Sequence, residues 1–101
     1  MKHHLAWVMT LLATACGGAA SESLHTAFAS IQVDEARIEH GRAALAAAAG
    51  DDERAVARDE ICDAAAHLSA TARPLDDRDA RERGERANEA CEAARQRVPA
   101  Q

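Results

Sequence analysis

Tyrosine is missing from this chain, and Trp7 and Phe28 are its whole aromatic complement. A surface that stacks bases or sugar rings needs several aromatic planes, and nucleic acid also calls for a basic patch. Basic residues are short as well: Lys2 is the sole lysine, and 17 Asp and Glu outnumber 12 Lys and Arg. Neither a nucleic-acid partner nor a carbohydrate platform is expected. Also missing are a Cys-x-x-Cys pair, a haem-attachment sequence and a glycine loop that would cradle phosphate. No internal repeat is present. Ser21, Ser23, Ser30 and Ser69 fall at caps or on helix surfaces, so no Ser-His-Asp trio can be assembled. The chain reads as non-enzymatic, with no catalytic residue and no cofactor.

The apolar runs are short too. Lys2 and two histidines precede Leu5-Ala6-Trp7-Val8-Met9-Thr10-Leu11-Leu12-Ala13. A basic start and a brief apolar core are the layout of a secretory leader. A permanent membrane span needs ~20 apolar residues, and Gly17-Gly18-Ala19-Ala20-Ser21 follows with no charged flank. The next stretch, Leu12-Ala13-Thr14-Ala15-Cys16, resembles the lipobox of bacterial lipoproteins: an aliphatic residue, two small residues, then the lipidated cysteine. Thr14 and Ala15 match the small positions and Cys16 the modified one, while Ala13 stands where Leu, Val or Ile is usual. The resemblance covers only residues 1–18. It implies cleavage before Cys16, a thioether-linked diacylglycerol on its sulfur and an acyl chain on its amine. Several chains together make a stable anchor where one alone is marginal. By the sorting rule of the Gram-negative lipoproteins it resembles, Gly17 in place of Asp makes the outer membrane the expected destination over the inner. Ala13-Thr14-Ala15 is also an A-x-A site, so ordinary secretion is the alternative.

The expected organisation is a leader over 1–15, a lipidated cysteine with its spacer over 16–21, and a helical domain over 22–98. Without Lys2, 11 Arg face 17 Asp and Glu, a net charge of −6 with His neutral. Three cysteines are an odd number for an exported chain. Giving Cys16 to the lipid leaves Cys62 and Cys91, an even pair in an oxidising compartment.

Three helices are expected, at about 22–49, 52–72 and 77–98. In the first, Leu24, Ile31, Ile38 and Leu45 recur every seven residues as one apolar stripe, with Asp34, Glu35, Arg37 and Glu39 mostly on other faces. Gly41 interrupts it at a cost of ~1 kcal/mol relative to Ala. Gly50 reads as its C-terminal stop, and Asp51-Asp52-Glu53 as the next cap and acidic first turn. The second helix has an apolar face of Ala57, Ile61, Ala64, Ala65, Leu68 and Ala72. Arg73-Pro74-Leu75-Asp76-Asp77 is a break, because Pro disfavours helix before it and Asp caps the helix after it. The third helix offers a thin face of Ala80, Gly84, Ala87, Cys91, Ala94 and Val98, with Asp79–Arg83 and Glu82–Arg86 spaced for ion pairs.

Cys62 and Cys91 are equidistant from the Asp76–Asp77 break, so they should face each other across an antiparallel hairpin. A disulfide there would matter, because large apolar residues are few and small domains with little core need a cross-link, metal or partner. Two unrelated buried thiols are the other reading. The fold class expected is all-α: a helical hairpin or three-helix bundle stapled by one disulfide.

Asp59, Asp63 and His67 step along one face of the second helix, and Asp63 and His67 have the one-turn spacing of a metal-ligand pair. A closed zinc site wants about four ligands, so an exposed acidic face with His67 paired to Asp63 is the favoured reading. His25 and His40 share a face of the first helix but sit ~22 Å apart, too far for one site. The heptad stripe is read first as internal core; its alternative is a seam for self-association or a protein partner through Leu24, Ile31, Ile38 and Leu45. The expected function is a non-enzymatic structural or protein-interaction role in the cell envelope, held to the membrane by the N-terminal lipid. A metal or small-ligand binding module is the alternative.

Overall fold

A computed structural model describes residues 8–99 of the chain, with side chains from residue 23 onward. The basic start of the leader and the side chain of Cys16 lie outside the described residues. The fold is all-α: α1 spans Val8–Ala47, α2 Asp51–Ala72 and α3 Arg78–Arg97, with one short 3-10 turn at Arg73–Leu75. The described residues form no strand. At 1.5 Å per residue α1 is about 60 Å long and α2 about 33 Å, so α1 outruns its neighbours.

The helix ends follow local chemistry. Gly50 is extended (φ −143°, ψ 173°) and is the N-cap of α2. It is therefore not the C-terminal stop expected for the first helix, which already ends at Ala47. Asp51, Asp52 and Glu53 occupy the first turn of α2, where negative charge meets the positive end of the helix dipole. Glu53 also reaches back, its Oε2 accepting from the Ala49 amide at 3.0 Å. At the second break Asp76 takes the left-handed conformation (φ 48°, ψ 45°) that turns the chain. Asp77 then caps α3, its Oδ1 accepting from the Ala80 amide at 3.0 Å, a bond of the kind that contributes ~1 kcal/mol. At its start α1 departs from expectation, running through Gly17 and Gly18 from Val8 rather than beginning near residue 22.

The core lies where the apolar stripes of the three helices meet. All six expected α2 residues are buried, as are Ala80, Gly84, Ala87, Cys91 and Ala94 of α3. Ile31, Ile38 and Leu45 of α1 join them. Leu24 does not: it is 45% exposed, beyond the packed part of α1, while Phe28 is the first side chain to reach the core. The heptad stripe is thus consumed inside the monomer over three of its four members. Ile31, Ile61 and Leu68 are the largest fully buried side chains, each contributing about 1.5–3 kcal/mol by leaving water.

Two buried glycines set how closely the helices approach, and in opposite senses. A Cβ on Gly41 would stand 2.7 Å from Ile61 Cγ1 and 3.4 Å from the Ala57 carbonyl oxygen. The interruption expected from its poor helix propensity is therefore a contact point between α1 and α2. A Cβ on Gly84 would meet Ser69, Ala72 and Leu68 atoms at 3.8–4.0 Å, ordinary van der Waals distance. Gly84→Ala should gain helix propensity without strain and stabilise the domain by about 1 kcal/mol. Urea denaturation of the variant, read by circular dichroism, checks this; a lower midpoint would mean that α3 lies closer to α2 than these distances allow.

Candidate functional site

Antiparallel helices pair residues equidistant from their turn, and both hairpins of this fold obey that rule. Across the α2–α3 turn, Cys62 and Cys91 stand at disulfide distance, with sulfurs 2.06 Å and Cα atoms 4.6 Å apart. Ser69 donates to Asn88 Oδ1 at 3.1 Å along the same seam. Across the α1–α2 turn, Asp34 and His67 are equidistant from the Gly50–Asp51 junction and meet, His67 Nδ1 lying 2.5 Å from Asp34 Oδ2.

That meeting corrects two expectations. Asp34, assigned to an outer face, is only 2% exposed. His67 is held by this carboxylate on α1 and not by Asp63 one turn away on its own helix. A buried carboxylate is costly unless its oxygens are satisfied, and here both are: Arg37 Nη1 sits 3.4 Å from Oδ1 while the imidazole takes Oδ2. The His67 side chain is 60% exposed, so the ring covers the carboxylate with its other face to solvent.

A neighbouring cluster ties α1 to α3. Arg83 donates to both oxygens of Glu35, at 2.8 and 3.1 Å, the forked geometry that suits guanidinium and carboxylate. The same guanidinium lies 5.8 Å from the Phe28 ring centroid and 3.5 Å from Asp79. The Asp79–Arg83 pair expected along α3 thus exists, but the shorter bonds of Arg83 go to another helix. Glu82, expected to pair with Arg86, takes Arg78 instead at 3.1 Å. At the far end, Arg58 donates to the carbonyl oxygens of Val98 and Pro99 at 2.9 and 3.4 Å and so holds the end of α3 against α2. Among the described residues no buried side-chain nitrogen or oxygen lacks a partner.

As chemistry, an imidazole backed by a carboxylate is the base half of a nucleophilic triad. Its remaining member would be a hydroxyl or thiol on the other ring nitrogen. The hydroxyls one turn or less away are engaged elsewhere, Ser69 with Asn88 and Thr71 with the His67 carbonyl oxygen at 3.1 Å. Asp63 is exposed. The described residues hold no group of three or more His, Cys, Asp or Glu placed to bind a metal ion. His25 is exposed, and His40 lies 4.0 Å from Glu60. The Asp34–His67, Glu35–Arg83 and Arg58–Val98 contacts each join two helices.

The Asp34–His67 bond carries a signal that sequence reasoning missed: the same midpoint rule that pairs the cysteines, applied to the Gly50 turn, brings these two residues together. Glu35–Arg83 has no comparable signal, because α1 and α3 are not consecutive. The described residues contain no helix long and apolar enough to cross a membrane. No family model, no curated protein and no solved structure matches the chain.

Proposed function

We propose that the chain is the precursor of a cell-envelope lipoprotein, cut before Cys16 and anchored through it, whose helical domain has a structural or protein-interaction role. The observation that carries this reading is cysteine parity. Cys62 and Cys91 stand at disulfide distance from each other, which leaves Cys16, at the end of a short apolar leader, as the odd one of three. An oxidised pair belongs to an exported compartment, and an exported odd cysteine calls for another fate. The interaction role is supported by the way the polar side chains are used. Asp34, His67, Glu35, Arg83 and Arg58 are engaged in joining helices, and the domain presents an acidic exterior. Asp63 and His67 lose their support as a metal pair, since His67 is committed to Asp34.

Intact mass of the protein purified from bacterial membranes tests the anchor. The expected product starts at Cys16, carries acyl chains and gains two hydrogens on reduction. A soluble product without acyl chains would overturn the lipoprotein reading, and Cys16→Ser should release the protein from the membrane fraction.

A further inference from the structure

Beside the α1–α2 turn lies a surface groove of about 380 Å³ lined by Ala44, Asp52, Glu53, Val56, Ala57 and Glu60. Its apolar part is Ala44, Ala57 and Val56, and Val56 is 67% exposed, the most open large apolar side chain among the described residues. Its polar part is entirely carboxylate. The arginines next along α2 do not neutralise it: Arg54 is held by Asp51 at 2.7 Å, and Arg58 by Asp59 and the Val98 carbonyl oxygen. His40 lies beside it, 4.0 Å from Glu60.

We propose that this groove docks a basic amphipathic helix of a partner protein, with an aliphatic side chain seated on Val56 and flanking Lys or Arg side chains on Asp52, Glu53 and Glu60. The inference rests on the interaction role above and names its partner. Charge complementarity decides the occupant. An apolar floor within a rim of one sign favours a helix whose apolar stripe is bordered by the opposite sign. A second copy related by a two-fold axis would set this patch against itself, bringing its three carboxylates against their own equivalents. The groove adjoins the turn at the end of α1 remote from Cys16, so the lipid does not compete for it.

The test uses the protein as the expressing bacterium makes it, purified in a non-ionic detergent whether or not it is membrane-bound, with protein-free micelles as blank. The probe is a fluorescein-labelled helical peptide carrying a Leu stripe flanked by Arg, followed by anisotropy at low and high salt. Saturable binding is expected, weakened roughly tenfold by Val56→Arg and by the double change Asp52→Asn with Glu60→Gln, and weakened again by salt. Val56 is exposed, so the fold should survive, and circular dichroism of each variant confirms that it has. The proposal is overturned by absence of saturable binding, or by unchanged affinity in Val56→Arg. It is also overturned if a peptide with Leu replaced by Ser, or with Arg replaced by Glu, binds as tightly. Sedimentation showing a self-associated protein that Val56→Arg dissociates would give the groove to a second copy instead. None of these outcomes bears on the intact mass, so the anchor and the groove fail separately.

Discussion

Replacing Cys62 and Cys91 together by alanine is expected to lower the stability of the helical domain by ~3–4 kcal/mol, the chain-entropy value for closing a loop of roughly 30 residues. For a domain this small that loss corresponds to a fall in melting temperature on the order of 15–25 °C. The reason it looms so large is the composition of the core. Apart from three residues of α1 and two of α2, its members are alanines and one cysteine: Ala57, Ala64, Ala65, Ala72, Ala80, Ala87, Ala94 and Cys91 stand beside Ile31, Ile38, Leu45, Ile61 and Leu68. Small side chains let the helices approach closely but remove little area from water, and hydrophobic stabilisation scales with that area. α3 in particular brings alanines and a glycine to the core, so the cross-link at Cys91 substitutes for a missing large apolar anchor. Urea titration of wild type with and without reductant, beside the double variant, measures the effect. Reductant should bring wild type close to the variant and leave the variant itself unmoved. Equal midpoints in all samples would show free thiols at both positions.

Ile61→Ala carries the second large effect, a destabilisation of about 2–5 kcal/mol from lost burial and the cavity left behind. Its informative feature is a coupling to Gly41. In wild type, Gly41→Ala should be destabilising: the new methyl would lie 2.7 Å from Ile61 Cγ1, and overpacking a rigid β-branched neighbour costs typically 1–3 kcal/mol, which outweighs the ~1 kcal/mol of helix propensity gained. Ile61 is fully buried, so its side chain can yield only by disturbing the core packed around it. Once Ile61 is alanine the obstruction is gone. Gly41→Ala should then become neutral or stabilising, because the methyl fills part of the cavity. A double-mutant cycle of equilibrium unfolding reads this change of sign as an interaction energy of the size seen between residues in contact. Simple additivity of the two substitutions would show that α1 and α2 do not meet at this point.

How much of this was legible beforehand differs from helix to helix, and the difference has a physical cause. The buried faces of α2 and α3 follow from apolar periodicity within each segment, since a helix must turn its apolar stripe inward whatever it packs against. The Pro74–Asp77 break follows from the fixed φ of proline and the capping bond of Asp77. The cysteine pairing follows from those two facts together, because an antiparallel hairpin matches residues equidistant from its turn.

The candidate polar sites did not follow in the same way. Asp34 looks like one surface charge among four until α2 is laid beside α1 in register. His67 has an acidic neighbour on its own helix, and only the tertiary arrangement shows that it turns to another. Arg83 has local partners as well, yet its shortest bonds run to Glu35 on a helix that is not its neighbour in the chain. Gly41 is a poor helix residue by local rules and a contact residue by packing.

The sequence by itself determined that there are three helices, the apolar faces of α2 and α3, the two turns and the pairing of Cys62 with Cys91, because each depends on interactions within one segment or across one tight turn. Tertiary structure alone decided which carboxylate His67 meets, why residue 41 has no side chain, that Leu24 stays in solvent while Ile31 does not, and which charges are left to line the groove at Val56. Those features depend on how far α1 is rotated about its own axis and where along its length the hairpin sits. That rotation and position are set by the sum of many small contacts between Ala, Gly and Ile surfaces, a sum that no single stretch of sequence contains.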